Sequence, residues 1–223
     1  AAPTQDRRAA MAADRIAATF AACARENRAA FVAYLMAGDP NAEISFQNFK
    51  ALADAGVEVI EIGAPFTDPM ADGASIQRAG QRALAAGASL NSTLEIARRF
   101  RDENQTVPLI LMGYANPMHR MGFDRFAEAA AKAGIDGVIT VDLPPEEDAP
   151  LREALDRKGL AVIRLATPTT TETRMKRVAD GASGFVYYVS VAGVTGAGVG
   201  QESDISQGVE CARTASGLPV AVG

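Results

Sequence analysis

The chain has 223 residues, 48% of them hydrophobic, and a formal net charge of −5 at pH 7. That length and apolar content bury a substantial core, either as one barrel-sized domain or as two small ones. The acidic balance and the lack of a clustered Lys/Arg run argue against a nucleic-acid surface, leaving small molecules or proteins as partners.

No apolar run approaches bilayer-spanning length, and the opening segment Ala1–Arg8 lacks the apolar core of a secretory signal. Residues 1–10 read as an N-terminal extension to a single domain over residues 11–223. Cys23 and Cys211 fall in helical-looking segments with neither metal-ligand spacing nor a disulfide framework, as expected of buried or idle thiols in a reducing cytoplasm.

In chain order, a helix over Arg15–Glu26 precedes a series of short apolar runs. Strands are predicted at Phe31–Met36, Val57–Ile62, Pro108–Met112, Gly137–Val141, Ala161–Leu165, Phe185–Val189 and Pro219–Val222. Between them, Ala42–Ala55, Thr93–Glu103, Phe123–Ala133 and Glu146–Lys158 carry the helical period. Near-continuous apolar strands alternating with helices imply a parallel sheet covered on both faces. The natural parent is a (βα)8 TIM barrel with an extra N-terminal helix. An open doubly wound sheet fits less well, because Ala37, Gly38, Asp39 and Pro40 follow the first strand where such folds carry a Gly-rich turn.

Barrel enzymes place their chemistry at the C-terminal strand ends and the loops that follow. The segment Glu61–Gly73 leaves the second strand and continues well past the ~2–6 residues usual for such a connection. Glu61 shares its alternating face with Val57 and Val59, so its carboxyl is expected to point into the apolar mouth. Burial there disfavours the anion, which suits a general acid/base, although a carboxylate held in a structural hydrogen bond fits the position equally. Asp68 and Asp72 lie on the loop itself, where aspartates more often form turns than catalyse. His119, the one histidine, reads as a surface or interface residue away from a strand end. Gly193, Gly196, Gly198 and Gly200 follow the sixth strand, and such a loop either exposes amides to a phosphate or is simply mobile. No dinucleotide fingerprint and no His/Cys cluster for a metal is present.

Taken together, Phe31–Pro40, Glu61–Gln77, Tyr114–Pro117, Val141–Pro144 and Ser190–Gly196 resemble the tryptophan synthase alpha chain over nearly the whole sequence. The loop pattern Glu-x-Gly-x-Pro-x-x-Asp-Pro-x-Ala-Asp-Gly from Glu61 to Gly73 is the specific part. The resemblance implies a carbon–carbon lyase that splits indole-3-glycerol phosphate into indole and glyceraldehyde 3-phosphate. It implies that Glu61 is the general acid/base and that Asp72 is the carboxylate accepting the indole N1–H. Tyr34, Met112, Leu165 and Tyr187 would wall the indole pocket, Thr195 would bond the aspartate on loop closure, and Gly196 would offer an amide to the phosphate. Pro65, Asp68 and Asn116 would meet a beta chain that carries pyridoxal phosphate, in an alpha2beta2 assembly, with no cofactor in this chain.

Two departures stand out. Ala74 replaces the proline usual after Ala-Asp-Gly, which should loosen the loop, and an eighth strand with closing helices is expected beyond Gly223. A free-standing indole-3-glycerol phosphate lyase, or a non-catalytic subunit that only activates the beta chain, are the alternatives. Intact Glu61, Asp72 and Thr195 argue against the last.

Overall fold

The computed structural model describes residues 5–190 and 202–223. Helix α1 (Gln5–Arg25) is followed by β1 (Val32–Met36), α2 (Ala42–Asp54), β2 (Val59–Gly63), α3 (Ala74–Ala85) and α4 (Leu90–Glu103). Then come β3 (Leu109–Gly113), α5 (Ala115–Met121), α6 (Phe123–Ala133), β4 (Gly137–Thr140), α7 (Ala149–Asp156) and β5 (Ala161–Ala166). The chain continues through α8 (Glu172–Ala179), β6 (Val186–Tyr188), α9 (Glu202–Ser216) and β7 (Val220–Val222). The seven strands form one sheet in the order β1-β2-β3-β4-β5-β6-β7, every neighbouring pair parallel.

The expected strands all appear, shifted by a residue or two. The helices differ more. The first begins at Gln5 rather than Arg15, so residues 5–10 continue it. Helix α7 is shorter than the Glu146–Lys158 pattern, because Pro144 and Pro145 hold the chain in a turn and Pro150 sits in the helix's first turn, where a missing N–H costs nothing. Helices α3, α5 and α8 were not anticipated, and α9 was foreseen only as the helical-looking segment around Cys211. Gly80 weakens the helical signal of α3, and α5 has only 7 residues and contains Pro117. Helix α4 starts cleanly because Ser89 and Ser92 form a reciprocal capping box.

Strand alternation sorts the apolar side chains into two layers. Ile60, Ile62, Leu109, Leu111, Val138 and Val162 face outward onto Phe49, Leu94, Phe100, Phe126 and Leu151 of the surrounding helices. Full burial of each of these aliphatic side chains contributes roughly 1.5–3 kcal/mol. Val59, Ile110, Ile139, Ile163, Phe185 and Ala221 face inward as a second cluster, and the sheet curls around them. Val57, expected on this inner face, instead precedes β2 and packs in the outer layer. Its placement follows from the strand beginning at Val59.

Helix α1 closes the N-terminal end of the inner cluster with Ile16 and Phe20, whose ring lies 5.5 Å from that of Phe185. An ion cluster pins this end. Asp136, 0% exposed at the start of β4, accepts from Arg15 Nε at 2.8 Å, from Arg101 at 2.8 Å and from the Leu109 amide at 2.7 Å. Cys23 is buried in α1 and Cys211 half-buried in α9, both as free thiols. Among the described residues no helix is long and apolar enough to cross a membrane.

Candidate active site

β2 carries Glu61 at the centre of the C-terminal mouth. Its Cα pairs with Tyr34 on β1 and Ile110 on β3, and it alternates with inward-facing Val59. Glu61 is 2% exposed, and its Oε1 has no hydrogen-bond partner among the described residues. Burial alone pushes the carboxyl up to about 7, with no cation or hydrogen bond opposing it. Such a group exchanges a proton near neutrality. The alternative of a carboxylate tied up structurally has no bond to support it among the described residues.

The walls come from neighbouring strands. Met112, Leu165 and Tyr187 pack against the inner cluster, and Leu165 pairs with Tyr187 across β5 and β6. Tyr34 is largely buried between the two acids: burial, then the charges of Asp72 and Glu61, raise its hydroxyl's pKa well above the ordinary phenol value. The Tyr187 phenol is pushed up to about 12 by burial and then by Glu61. Both phenols therefore stay protonated near the carboxyls, with the Tyr34 hydroxyl turned to Met36 Sδ at 3.9 Å. Gly63 makes room for this arrangement, since a Cβ there would overlap the Tyr34 ring.

Asp72 enters from the loop between β2 and α3. Tyr114, which follows directly on β3, donates its hydroxyl to Asp72 Oδ1 at 2.9 Å and accepts from the Ala71 amide at 3.0 Å. Phe66 stacks on the Tyr114 ring at 5.1 Å. The Gln77 side chain of α3 donates to the Asp72 carbonyl at 2.8 Å, while the Asp72 amide donates to Pro69 O at 3.1 Å. Burial pushes the Asp72 carboxyl up, and the Tyr114 hydroxyl pulls part of that rise back.

The structure thus gathers Tyr34, Glu61, Asp72, Met112, Leu165 and Tyr187 at one end of the sheet. Thr195 and Gly196, with Gly193, Gly198 and Gly200, lie outside the described residues. Asp68 is exposed on the outer side of the loop and Pro65 is buried at its root. Asn116 is exposed on α5, and so is His119, which stands in a helix directly after β3 rather than away from a strand end. Tyr114, Gln77 and Gly63 were missed as functional positions. Tyr114 could have been found by the strand-end rule, because it is the first residue after β3. Among the described residues no three His, Cys, Asp or Glu side chains gather to hold a metal ion.

Comparison with known proteins agrees with this geometry. The family model described as "Tryptophan synthase alpha chain" matches residues 20–223. The tryptophan synthase alpha chain of Caulobacter vibrioides is 54% identical over 213 residues, covering 96% of this chain and 78% of that one. That of Phenylobacterium zucineum is 56% identical over 209 residues, covering 94% and 76%. Among solved structures, tryptophan synthase subunit alpha from Legionella pneumophila superposes with a TM-score of 0.84 at 36% identity, covering 94% of this chain and 77% of that one. Mycobacterium tuberculosis tryptophan synthase superposes with a TM-score of 0.87 at 35% identity, covering 94% and 79%. With a mouth of two acids and an apolar wall on this sheet, the chain belongs to the tryptophan synthase alpha chain family and is a lyase subunit for cleavage of indole-3-glycerol phosphate to indole and glyceraldehyde 3-phosphate.

Proposed function

We propose that Glu61 and Asp72 divide the work of this cleavage between them. Glu61 gives its proton to C3 of the indole ring, and positive charge then develops at N1. Asp72, as the anion, accepts the N1–H bond and stabilises that charge. Removal of the proton from the glycerol hydroxyl next to the ring, by the now ionised Glu61, forms the aldehyde carbonyl. The carbon–carbon bond breaks and its electron pair returns to the ring, releasing indole. The observation that carries this reading is the buried, unpartnered Glu61 Oε1 on a carboxyl pushed up to about 7, a value that lets one group serve as both acid and base.

Tyr34, Met112, Leu165 and Tyr187 supply the apolar surface for the ring, with Thr195 bonding Asp72 on closure and Gly196 giving an amide to the phosphate. Asp68 and Asn116 form the face toward a beta chain, with buried Pro65 shaping the root of the Asp68 loop rather than the face itself, in a cytoplasmic alpha2beta2 assembly where pyridoxal phosphate belongs to the beta chain. The exposure of Asp68 and Asn116 supports this placement. The deciding experiment is single-turnover release of indole by the Glu61→Gln variant, with substrate binding measured separately. Loss of release with binding retained supports the assignment, and turnover near that of the unsubstituted protein sinks it.

A further inference from the structure

The hydrogen bonds around Asp72 reach its backbone as well as its side chain. Its carboxyl is fixed by Tyr114, just after β3, and its carbonyl by the Gln77 side chain from α3, at 2.9 Å and 2.8 Å. Gln77 lies one turn into the helix, and its own amide makes the ordinary helical bond to Gly73 O at 2.9 Å, so the side-chain bond is additional to the helix ladder. The residues between these anchors, Gly73 and Ala74, do little to restrict the chain. Gly73 has no side chain to cap α3, and Ala74 is a plain first helical residue.

We infer that Gln77 is a positioning residue for Asp72, fixing through the Asp72 carbonyl the direction in which the carboxylate enters the mouth. This rests on the reading of Asp72 as the N1–H acceptor. A carboxylate held at one oxygen by Tyr114 can still swing about its backbone, and the Gln77 tie at the carbonyl adds to the Asp72 amide's bond to Pro69 O in restricting that swing. Removing it should cost turnover more than substrate affinity, because the anion is needed most when charge develops on the ring.

Gln77 also sits at the end of the first turn of α3, so the test must separate positioning from helix stability. Three variants do this in the intact protein. Gln77→Met keeps length and removes the donor. Gln77→Glu puts a carboxylate oxygen against the Asp72 carbonyl. Ala74→Pro restricts the same segment by a different route, and the local geometry accepts it: Gly73 has φ −73° and ψ 164°, which a following proline favours, and the Ala74 amide meets no acceptor among the described residues.

Gln77→Met is expected to lower kcat roughly 10-fold, as for one lost hydrogen bond felt in the transition state, with KM within about 2-fold. Adding Ala74→Pro should return most of the lost kcat. Gln77→Glu should be at least as slow at pH 8, and its activity relative to the unsubstituted protein should rise as pH falls and its carboxyl regains a donor proton. Unchanged kcat in Gln77→Met would overturn the inference. So would a loss that follows a falling Tm and is relieved neither by Ala74→Pro nor by lower pH, since that marks a helix start only. Asp72→Asn run alongside separates the two readings. If it turns over normally, the role given to Asp72 falls and this inference with it. If it is impaired while Gln77→Met is not, the inference about Gln77 falls alone.

Discussion

Glu61 and Asp136 are both carboxyls buried within the curled sheet, at opposite ends of its strands, with exposures of 2% and 0%. Asp136, at the N-terminal end, meets two guanidiniums and a backbone amide. Glu61, at the C-terminal end, has an oxygen that meets nothing among the described residues. Burial pushes both carboxyls up, but only Asp136 has Arg101, Arg15 and the Leu109 amide to pull it back. A charge taken from water must be compensated or surrendered. Asp136 can hold its charge and tie elements together, whereas Glu61 can take or lose a proton at little further cost.

The strongest way to break this contrast is to remove each carboxyl's charge in turn. Glu61→Gln should reduce indole release by ~10^4-fold, the upper end of what acid–base catalysis supplies, with circular dichroism unchanged. Asp136→Asn should do the converse, costing about 3–5 kcal/mol in denaturant unfolding because two arginines stay buried beside a neutral amide. Turnover per folded molecule should remain near that of the unsubstituted protein. A stable Asp136→Asn protein would mean that the cluster contributes no more than packing.

The contrast also predicts a stability gain at the working end. A carboxyl raised from 4.5 to about 7 on folding keeps its proton in the folded chain where the unfolded chain has lost it. Stability therefore falls as pH rises through that window, and the cost is fully present above pH 7, at up to roughly 3 kcal/mol. Glu61→Gln, which carries no charge, should have a higher Tm than the unsubstituted protein at pH 8. The gain should vanish below the ordinary carboxyl pKa. A 13C NMR titration of the Glu61 carboxyl with a midpoint near 4.5 would remove the basis for this prediction.

The smallest effect expected is at Tyr114. Tyr114→Phe should lower kcat roughly 10-fold while Phe66 stacking and fold persist, because the hydroxyl's bond to Asp72 is lost together with the bond it accepts from the Ala71 amide. An effect as large as that of Asp72→Asn would instead give the phenol a direct role in the chemistry.

The buried, inward-facing position of Glu61 was readable in the sequence from a strand's alternating faces, which left its role open between a general acid/base and a structural carboxylate. The anchoring of Asp72 was not. It depends on Tyr114, 42 residues further along, and on α3, whose helical signal Gly80 weakens. The Asp136 cluster was equally hidden, since Arg15 and Asp136 are 121 residues apart and nothing local links them. Periodicity reports which face a side chain occupies; it does not report what distant element will stand opposite. That is also why Val57 was misplaced, because a shift of the strand start to Val59 moved it into the outer layer.

The seal that Ile16 and Phe20 of α1 place across the N-terminal end gives the barrel a direction. A small molecule seated beside Glu61 would have this hydrophobic stopper beneath it and the strand-end loops above. Asp68 and Asn116 stand on the loop side. If those two residues meet a partner as proposed, indole released on the loop side is released on the partner's side, while α1, far from any reacting atom, covers the other end.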